Sequence, residues 1–265
     1  MAPTYLDEIL AHHRARAASD TRDWRSRLDT VRYAGPSLYE ALSDTEQGNV
    51  AVIAEVKRRS PSKGWLDHDL DAAKLAALYQ LAGARAISVL TDEQFFAGSA
   101  ADLRAVVASV SVPVLRKDFT VSANDVLDAA EMGASAVLLI VAALDSDELA
   151  SLLELAGVVG LDALVEVHDR AEARRAVEFG ARLIGVNQRN LRTFEVDPDH
   201  AATVIDELPH DIVAVCESGL RSAADIERAA LAGFDAVLVG ETFVTADDIE
   251  ATVRSFASVA KVSRA

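Results

Sequence analysis

The sequence predicts an α/β protein: a single (β/α)8 TIM barrel with an extra N-terminal helix. Three observations carry that expectation. Eight short apolar runs rich in Val, Ile and Leu recur along the chain. Ala-rich segments of helical period lie between them, several ending at a glycine that opens the way to the next run. The chain has 265 residues, close to the roughly 250 typical of one such barrel. One domain is therefore expected over 1–265, with 1–48 as a helical extension and 49–265 as the barrel.

In order, residues 5–25 read as an amphipathic helix ahead of the first strand. Leu6, Ile9 and Leu10 share its apolar face, and His12, His13, Arg14 and Arg16 are assigned to solvent. Residues 29–48 read as polar and irregular, with Gly35-Pro36 as a breaker. Strands are expected at 50–56, 86–90, 112–115, 134–141, 163–167, 183–186, 212–215 and 236–239. Helices are expected at 72–81, 100–109, 123–132, 146–156, 171–179 and 223–232, with a weaker one near 200–208. Gly83, Gly133, Gly180 and Gly233 sit where such helices end. Alternation of this kind implies a parallel sheet. A doubly wound open sheet is the rival, but no GxGxxG follows any strand.

Composition narrows the partners. The net charge is −16, and an acidic surface repels nucleic acid and anionic lipid, so neither is an expected partner. No uninterrupted apolar run reaches the roughly 20 residues of a membrane span. The N-terminus lacks the apolar core of a signal peptide, and the lone Cys216 excludes an intrachain disulfide. A cytoplasmic protein acting as a monomer is the expectation. Any anionic substrate would need a local basic pocket.

Chemistry is expected where strands end, because a parallel barrel gathers those ends at one mouth. Glu55 and Lys57 share one face of the first strand, and the loop after it, Arg58-Arg59-Ser60-Pro61-Ser62-Lys63-Gly64, is basic. Lys117 points inward at the end of the third strand, while Arg116 points to the helices. From the residues alone, Lys117 could be an electrophile, a general acid or a Schiff-base former, with burial lowering its pKa. Glu166 on the fifth strand is a candidate acid or base, and His168 beyond it reads as a loop residue. Asn187, followed by Arg189, and Glu217 end the sixth and seventh strands. Ser218-Gly219 and Gly240-Glu241 follow the seventh and eighth, where barrels frequently bind phosphate. Histidines are scattered and carboxylates alternate with lysines, so no metal site is expected.

These residues sit in longer motifs. They are Ile53-Ala54-Glu55-Val56-Lys57-Arg58-Arg59-Ser60-Pro61, Ser88-Val89-Leu90-Thr91 with Phe96-Ala97-Gly98-Ser99, and Pro113-Val114-Leu115-Arg116-Lys117-Asp118-Phe119. Leu138-Leu139-Ile140-Val141, Leu164-Val165-Glu166-Val167-His168, Gly185-Val186-Asn187-Gln188-Arg189-Asn190-Leu191 and Glu217-Ser218-Gly219 complete them. With them, nearly the whole chain resembles the indole-3-glycerol phosphate synthase family of tryptophan biosynthesis. The resemblance implies a cofactor-free, decarboxylating lyase. It would convert 1-(2-carboxyphenylamino)-1-deoxyribulose 5-phosphate to indole-3-glycerol phosphate, CO2 and water. It further implies Lys117 as general acid in ring closure, Glu166 as acid/base in dehydration and Lys57 on a substrate anion. Glu55, Asn187 and Glu217 would orient these groups. Ser60, Arg189, Ser218, Gly219, Gly240 and Glu241 would meet substrate or phosphate. Pro61, Phe96, Phe119, Leu138 and Phe194 would wall the aromatic ring. Thr120, Cys216 and Trp65 depart from the family pattern without removing a catalytic group.

Overall fold

A computed structural model describes residues 4–44, 48–61, 63–189, 196–262 and 264. Eight parallel strands close into a barrel: β1 Ala51–Val56, β2 Ala86–Leu90, β3 Val114–Lys117, β4 Ala136–Ile140, β5 Asp162–Val167, β6 Leu183–Asn187, β7 Val213–Glu217 and β8 Ala236–Val239. Each pairs with its neighbours in sequence, and β8 closes on β1. β1, β2, β4, β6, β7 and β8 are buried along their whole length. That is why they read as unbroken apolar runs: both faces are covered, one by helices and one by the barrel interior.

The glycines at helix ends behave as the sequence predicts. Gly83, Gly133, Gly180 and Gly233 have φ between 81° and 105°, a region costly for residues with a Cβ. After each, the next N–H reaches back five residues: Ala84 to Tyr79, Ala134 to Ala129, Ala181 to Ala176 and Phe234 to Ala229. This is the Schellman closure, and it turns the chain from helix into strand within a few residues. At the opposite end of the barrel, Ser99, Ser122, Asp145 and Asp169 cap the helices that follow the strands.

The N-terminal region differs from expectation. Helix α1 runs Tyr5–Ser19 and a separate α2 runs Trp24–Leu28, with Asp23 capping the second. Residues 29–44 are not wholly irregular: α3, Leu38–Ser43, is capped by Ser37 and buries Leu38 and Leu42. Six residues are too few to display a helical period. The helix near 200–208 lies at Pro198–Ile205.

The largest correction concerns His13, which is buried rather than solvated. It follows Ile9 by four residues, so both occupy the inward face of α1. Its Nε2 lies 2.7 Å from Asp92 Oδ2. Arg14 forms a two-pronged pair with Glu148, and Arg16 Nη2 is 2.5 Å from Asp125. Helix α1 is thereby tied to the connection after β2 and to the first turns of the helices that follow β3 and β4.

Candidate active site

Strand register determines which side chains meet. Residues opposite one another in a ladder face the same side. The pairs Glu55–Ser88, Leu90–Lys117, Ile140–Glu166, Glu166–Gly185, Asn187–Glu217 and Glu217–Leu238 form one inward ring. Each polar member stands at or near the C-terminal end of its strand, so the ring opens into a cavity of about 670 Å³. Sixteen of the seventeen expected site residues line it: Lys117, Glu166, Lys57, Glu55, Asn187, Glu217, Ser60, Arg189, Ser218, Gly219, Gly240, Glu241, Pro61, Phe96, Phe119 and Leu138. The seventeenth, Phe194, lies outside the described residues.

Lys117 is central. Its Nζ is 3.3 Å from Glu166 Oε2 and 3.5 Å from Glu217 Oε2. Burial alone would lower its pKa, as the sequence reading supposed. Glu166, Glu217 and Glu55 outweigh burial and raise it instead. The group is an ammonium at neutral pH, which suits a proton donor and not an amine nucleophile. Lys57 forms its own pair, with Nζ 2.5 Å from Glu55 Oε1. Burial disfavours an ionised Glu55, but Lys57 and Lys117 hold its carboxyl below the usual value.

The three carboxylates differ. Burial works against the Glu166 charge, yet Lys117, His168 and the Asn187 amide overcome it and hold Glu166 ionised. Glu217 goes the other way: burial pushes it up to about 8 against the pull of Lys117, and the neighbouring Glu166 charge adds to the rise. One carboxylate is therefore ionised while its neighbour keeps a proton.

Asn187 orients this group. Its Nδ2 donates to Glu166 Oε1 at 3.2 Å, and its Oδ1 accepts from Ser218 Oγ at 2.8 Å and from the Arg189 amide at 3.0 Å. All three partners agree on which end of the amide is oxygen. Two glycines make room. A Cβ at Gly185 would stand 2.0 Å from Glu217 Oε1, and one at Gly240 would stand 2.4 Å from Glu55 Oε1. Ser218 and Gly219 both have positive φ, 70° and 73°, turning the backbone sharply where β7 ends. Cys216 faces away; burial pushes its thiol up to about 12, so it is inert at neutral pH.

Other residues enter that the sequence did not single out. Tyr5, Leu6 and Ile9 of α1 line the cavity, as do Lys63, Leu90, Ile140, Arg221 and Leu238. The apolar face of α1 was the signal for Leu6 and Ile9. The basic loop after β1 is partly committed elsewhere: Arg58 pairs with Asp102 and the Leu70 carbonyl. Its strands Arg59–Ser60 and Gly64–Trp65 form a short hairpin. The Glu241 carboxylate sits 3.8 Å from Lys63 Nζ.

His13, Asp92 and Asp118, far apart in the sequence, have ligand-type atoms within 4.8 Å of one another. Their atoms are already engaged. Asp92 Oδ1 accepts from the Phe95 and Phe96 amides, and Asp118 accepts from Thr91, Arg116 and the Phe119 amide. This network anchors Phe96 and Phe119, whose rings lie 6.3 Å apart on the apolar side of the cavity.

The comparison with known proteins follows the same geometry. The sequence profile described as indole-3-glycerol phosphate synthase matches residues 6–256. The chain belongs to the indole-3-glycerol phosphate synthase family. An indole-3-glycerol phosphate synthase of Rhodococcus opacus (strain B4) is 50% identical over 247 residues, covering 92% of this chain and 91% of the relative. One of Chlorobium phaeovibrioides is 47% identical over 234 residues, covering 88% and 89%. Among solved structures, thiamine phosphate pyrophosphorylase from Pyrococcus furiosus superposes with a TM-score of 0.60 at 14% identity, covering 79% of this chain and 95% of that one. The last likeness is one of fold: a barrel shared with proteins of quite different sequence.

The opposed carboxylates make stability depend on pH. Glu217 has a folded pKa raised from the ordinary 4.5 to about 8, so the folded state retains a proton that the unfolded chain releases between those values. Its stabilising contribution is complete below pH 4.5 and is lost as pH rises toward 8. Glu217→Gln mimics the protonated form at every pH. Its Tm is expected to match the parent near pH 4.5 and exceed it by several degrees at pH 8, measured by calorimetry across that range.

Proposed function

We propose that the residues at this mouth carry the family's reaction, the decarboxylating ring closure and dehydration that make indole-3-glycerol phosphate. The single observation that supports it best is Lys117, held as an ammonium between Glu166 and Glu217. Ring closure needs a carbon nucleophile close to a carbonyl and a proton donor at the carbonyl oxygen. Lys117 is that donor. The aromatic ring of the substrate rests among Phe96, Phe119, Leu138 and Pro61, which brings its carboxylate-bearing carbon toward the carbonyl. When the new bond forms, the carboxylate leaves as CO2. Glu166, ionised and oriented by Asn187, then removes the proton whose loss accompanies expulsion of the hydroxyl as water.

The substrate carboxylate is an anion and CO2 is neutral, so each turnover takes up one proton. Lys57, tied to Glu55, holds a substrate anion. The backbone at Ser218, Gly219 and Gly240, with Ser60, Arg189 and Arg221, receives the phosphate. Glu241 contributes through its backbone N–H, since a carboxylate repels phosphate. We read the chain as one domain, because Val31, Leu38 and Leu42 share a core with the barrel strands. We also read it as a cytoplasmic monomer without nucleic-acid partner; the acidic charge supports the last of these, since it repels phosphate backbones. Among the described residues no helix is long and apolar enough to cross a membrane.

The test is a direct assay with the anthranilate-derived substrate, following indole fluorescence and CO2 release. Equal yields of both products are expected; purified protein that binds the substrate and releases neither would overturn the reading. A second reading, a Schiff-base aldolase on Lys117, predicts trapping by borohydride. The ammonium state of Lys117 disfavours it, and no covalent adduct is expected by mass spectrometry.

A further inference from the structure

His168 stands just beyond the end of β5, two residues from Glu166, and does not line the cavity. Its backbone is pinned on both sides. The His168 N–H donates to Glu172 Oε2 at 2.7 Å, and the His168 carbonyl accepts from His200 Nε2. The ring is held as well. Nδ1 is 3.2 Å from the same Glu172 oxygen, and Nε2 is buried with no hydrogen-bond partner, 3.5 Å from Glu166 Oε1.

The ring thus lies between two carboxylates, one at each nitrogen. With Nδ1–H given to Glu172, a neutral ring would aim its Nε2 lone pair at an ionised oxygen. A doubly protonated ring presents an N–H at both ends instead. We propose that His168 is a positioning residue: its imidazolium, clamped between Glu172 and Glu166, is the cation that keeps the Glu166 carboxylate charged and aimed into the site. Lys117 does this for one Glu166 oxygen from inside the barrel, and His168 does it for the other from the turn after β5.

The electrostatic surroundings agree. Burial works against the charged ring, but its bond to Glu172 and the nearby Glu166 and Glu172 charges raise the His168 pKa. The titratable groups packed round it are the carboxylates Glu166 on β5 and Glu172 on the following helix Arg170–Glu178, and Glu217 on β7. Lys117 on β3 lies beyond Glu166, and His200 approaches the backbone from helix Pro198–Ile205. Arg170 and Arg175 on the same helix are turned to Thr203, Asp206, Glu207 and Leu144. No cation among these takes the place of His168 at Glu166 Oε1.

This inference rests on Glu166 being the acid/base group, and the experiment separates the two. His168→Gln removes the charge and keeps a hydrogen-bonding side chain. The acid limb of its kcat–pH profile is expected to move up by about one unit, which is about tenfold in rate below the limb, with KM changed little and the variants converging near pH 8. Glu172→Gln, which frees the ring from its outer carboxylate, should move the limb the same way by less. In the parent protein, 15N shifts of the ring should report both nitrogens protonated at pH 7. A loss equal at all pH values, superposed profiles, or a neutral ring at pH 7 would overturn the proposal. Glu166→Gln is run beside them. If it retains turnover, the reading of Glu166 fails; if it is inactive and the His168→Gln profile superposes on the parent, only the role of His168 fails.

Discussion

Lys117→Ala is expected to lower kcat for indole-3-glycerol phosphate formation by about a thousandfold or more. Proton donation by a positioned side chain contributes roughly 10²–10⁴-fold, and this lysine also supplies the only cation that touches both Glu166 and Glu217 among the described residues. Its loss leaves two buried carboxylates facing one another. They respond by holding protons more tightly, so Glu166 ceases to be an available base at neutral pH. The defect therefore spreads from ring closure to dehydration. Lys117→Arg should rescue little, because a planar guanidinium cannot take up a point position between two carboxylates that lie within 3.5 Å. Circular dichroism should still report the barrel, and single-turnover fluorescence should show no burst of indole product. Near-normal product formation by Lys117→Ala would remove this lysine from the mechanism.

Glu166→Gln is expected to act later and differently. The amide oxygen keeps one of the two bonds that Glu166 accepts, from Asn187 or from Lys117, and the side chain cannot accept a proton, so dehydration slows by about a hundredfold or more while KM stays within about threefold. Rapid quench should then find a decarboxylated, ring-closed species that still carries its hydroxyl. Glu217 should respond as well. Part of its raised pKa comes from the Glu166 charge, so neutralising that charge lets Glu217 release its proton at lower pH. The double variant Glu166→Gln/Glu217→Gln should be markedly non-additive, as expected for two groups sharing one lysine and one proton. Weaker binding with unchanged turnover would leave Glu166 a contact residue only.

Most of the architecture is visible in the sequence because a parallel barrel buries both faces of its strands. A run such as Ala136–Ile140 has no polar residue, and its bounding glycine and turn residues mark its ends. The mouth is visible for a related reason: a charged residue ending an apolar strand must point somewhere wet, and alternation says which side. What stays hidden is whatever depends on distances across the barrel. Lys117 reads as a buried lysine whose pKa should fall; only closure brings Glu55, Glu166 and Glu217 to it and reverses the sign. The same holds for Arg58, which looks free until Asp102 arrives from forty-four residues away. His13 was legible in principle, since it extends the Leu6, Ile9 and Leu10 face by one more turn. A histidine there reads as polar, and nothing local announces Asp92.

The bonds that fasten α1 connect residues far apart in the chain: His13 to Asp92, Arg16 to Asp125 and Arg14 to Glu148. The first helix is thus among the first segments made and among the last able to settle. During synthesis its final partner emerges only after more than half of the protein has left the ribosome, on the order of ten seconds after the helix itself. Until then Leu6, Ile9 and His13 have no place to be buried, and the aromatic wall that Asp92 and Asp118 anchor is unfinished. Pulse-labelling hydrogen exchange should find the amides of Tyr5–Ser19 protected after those of the β-strands, so that the substrate pocket becomes competent in the closing step of folding rather than with the barrel itself.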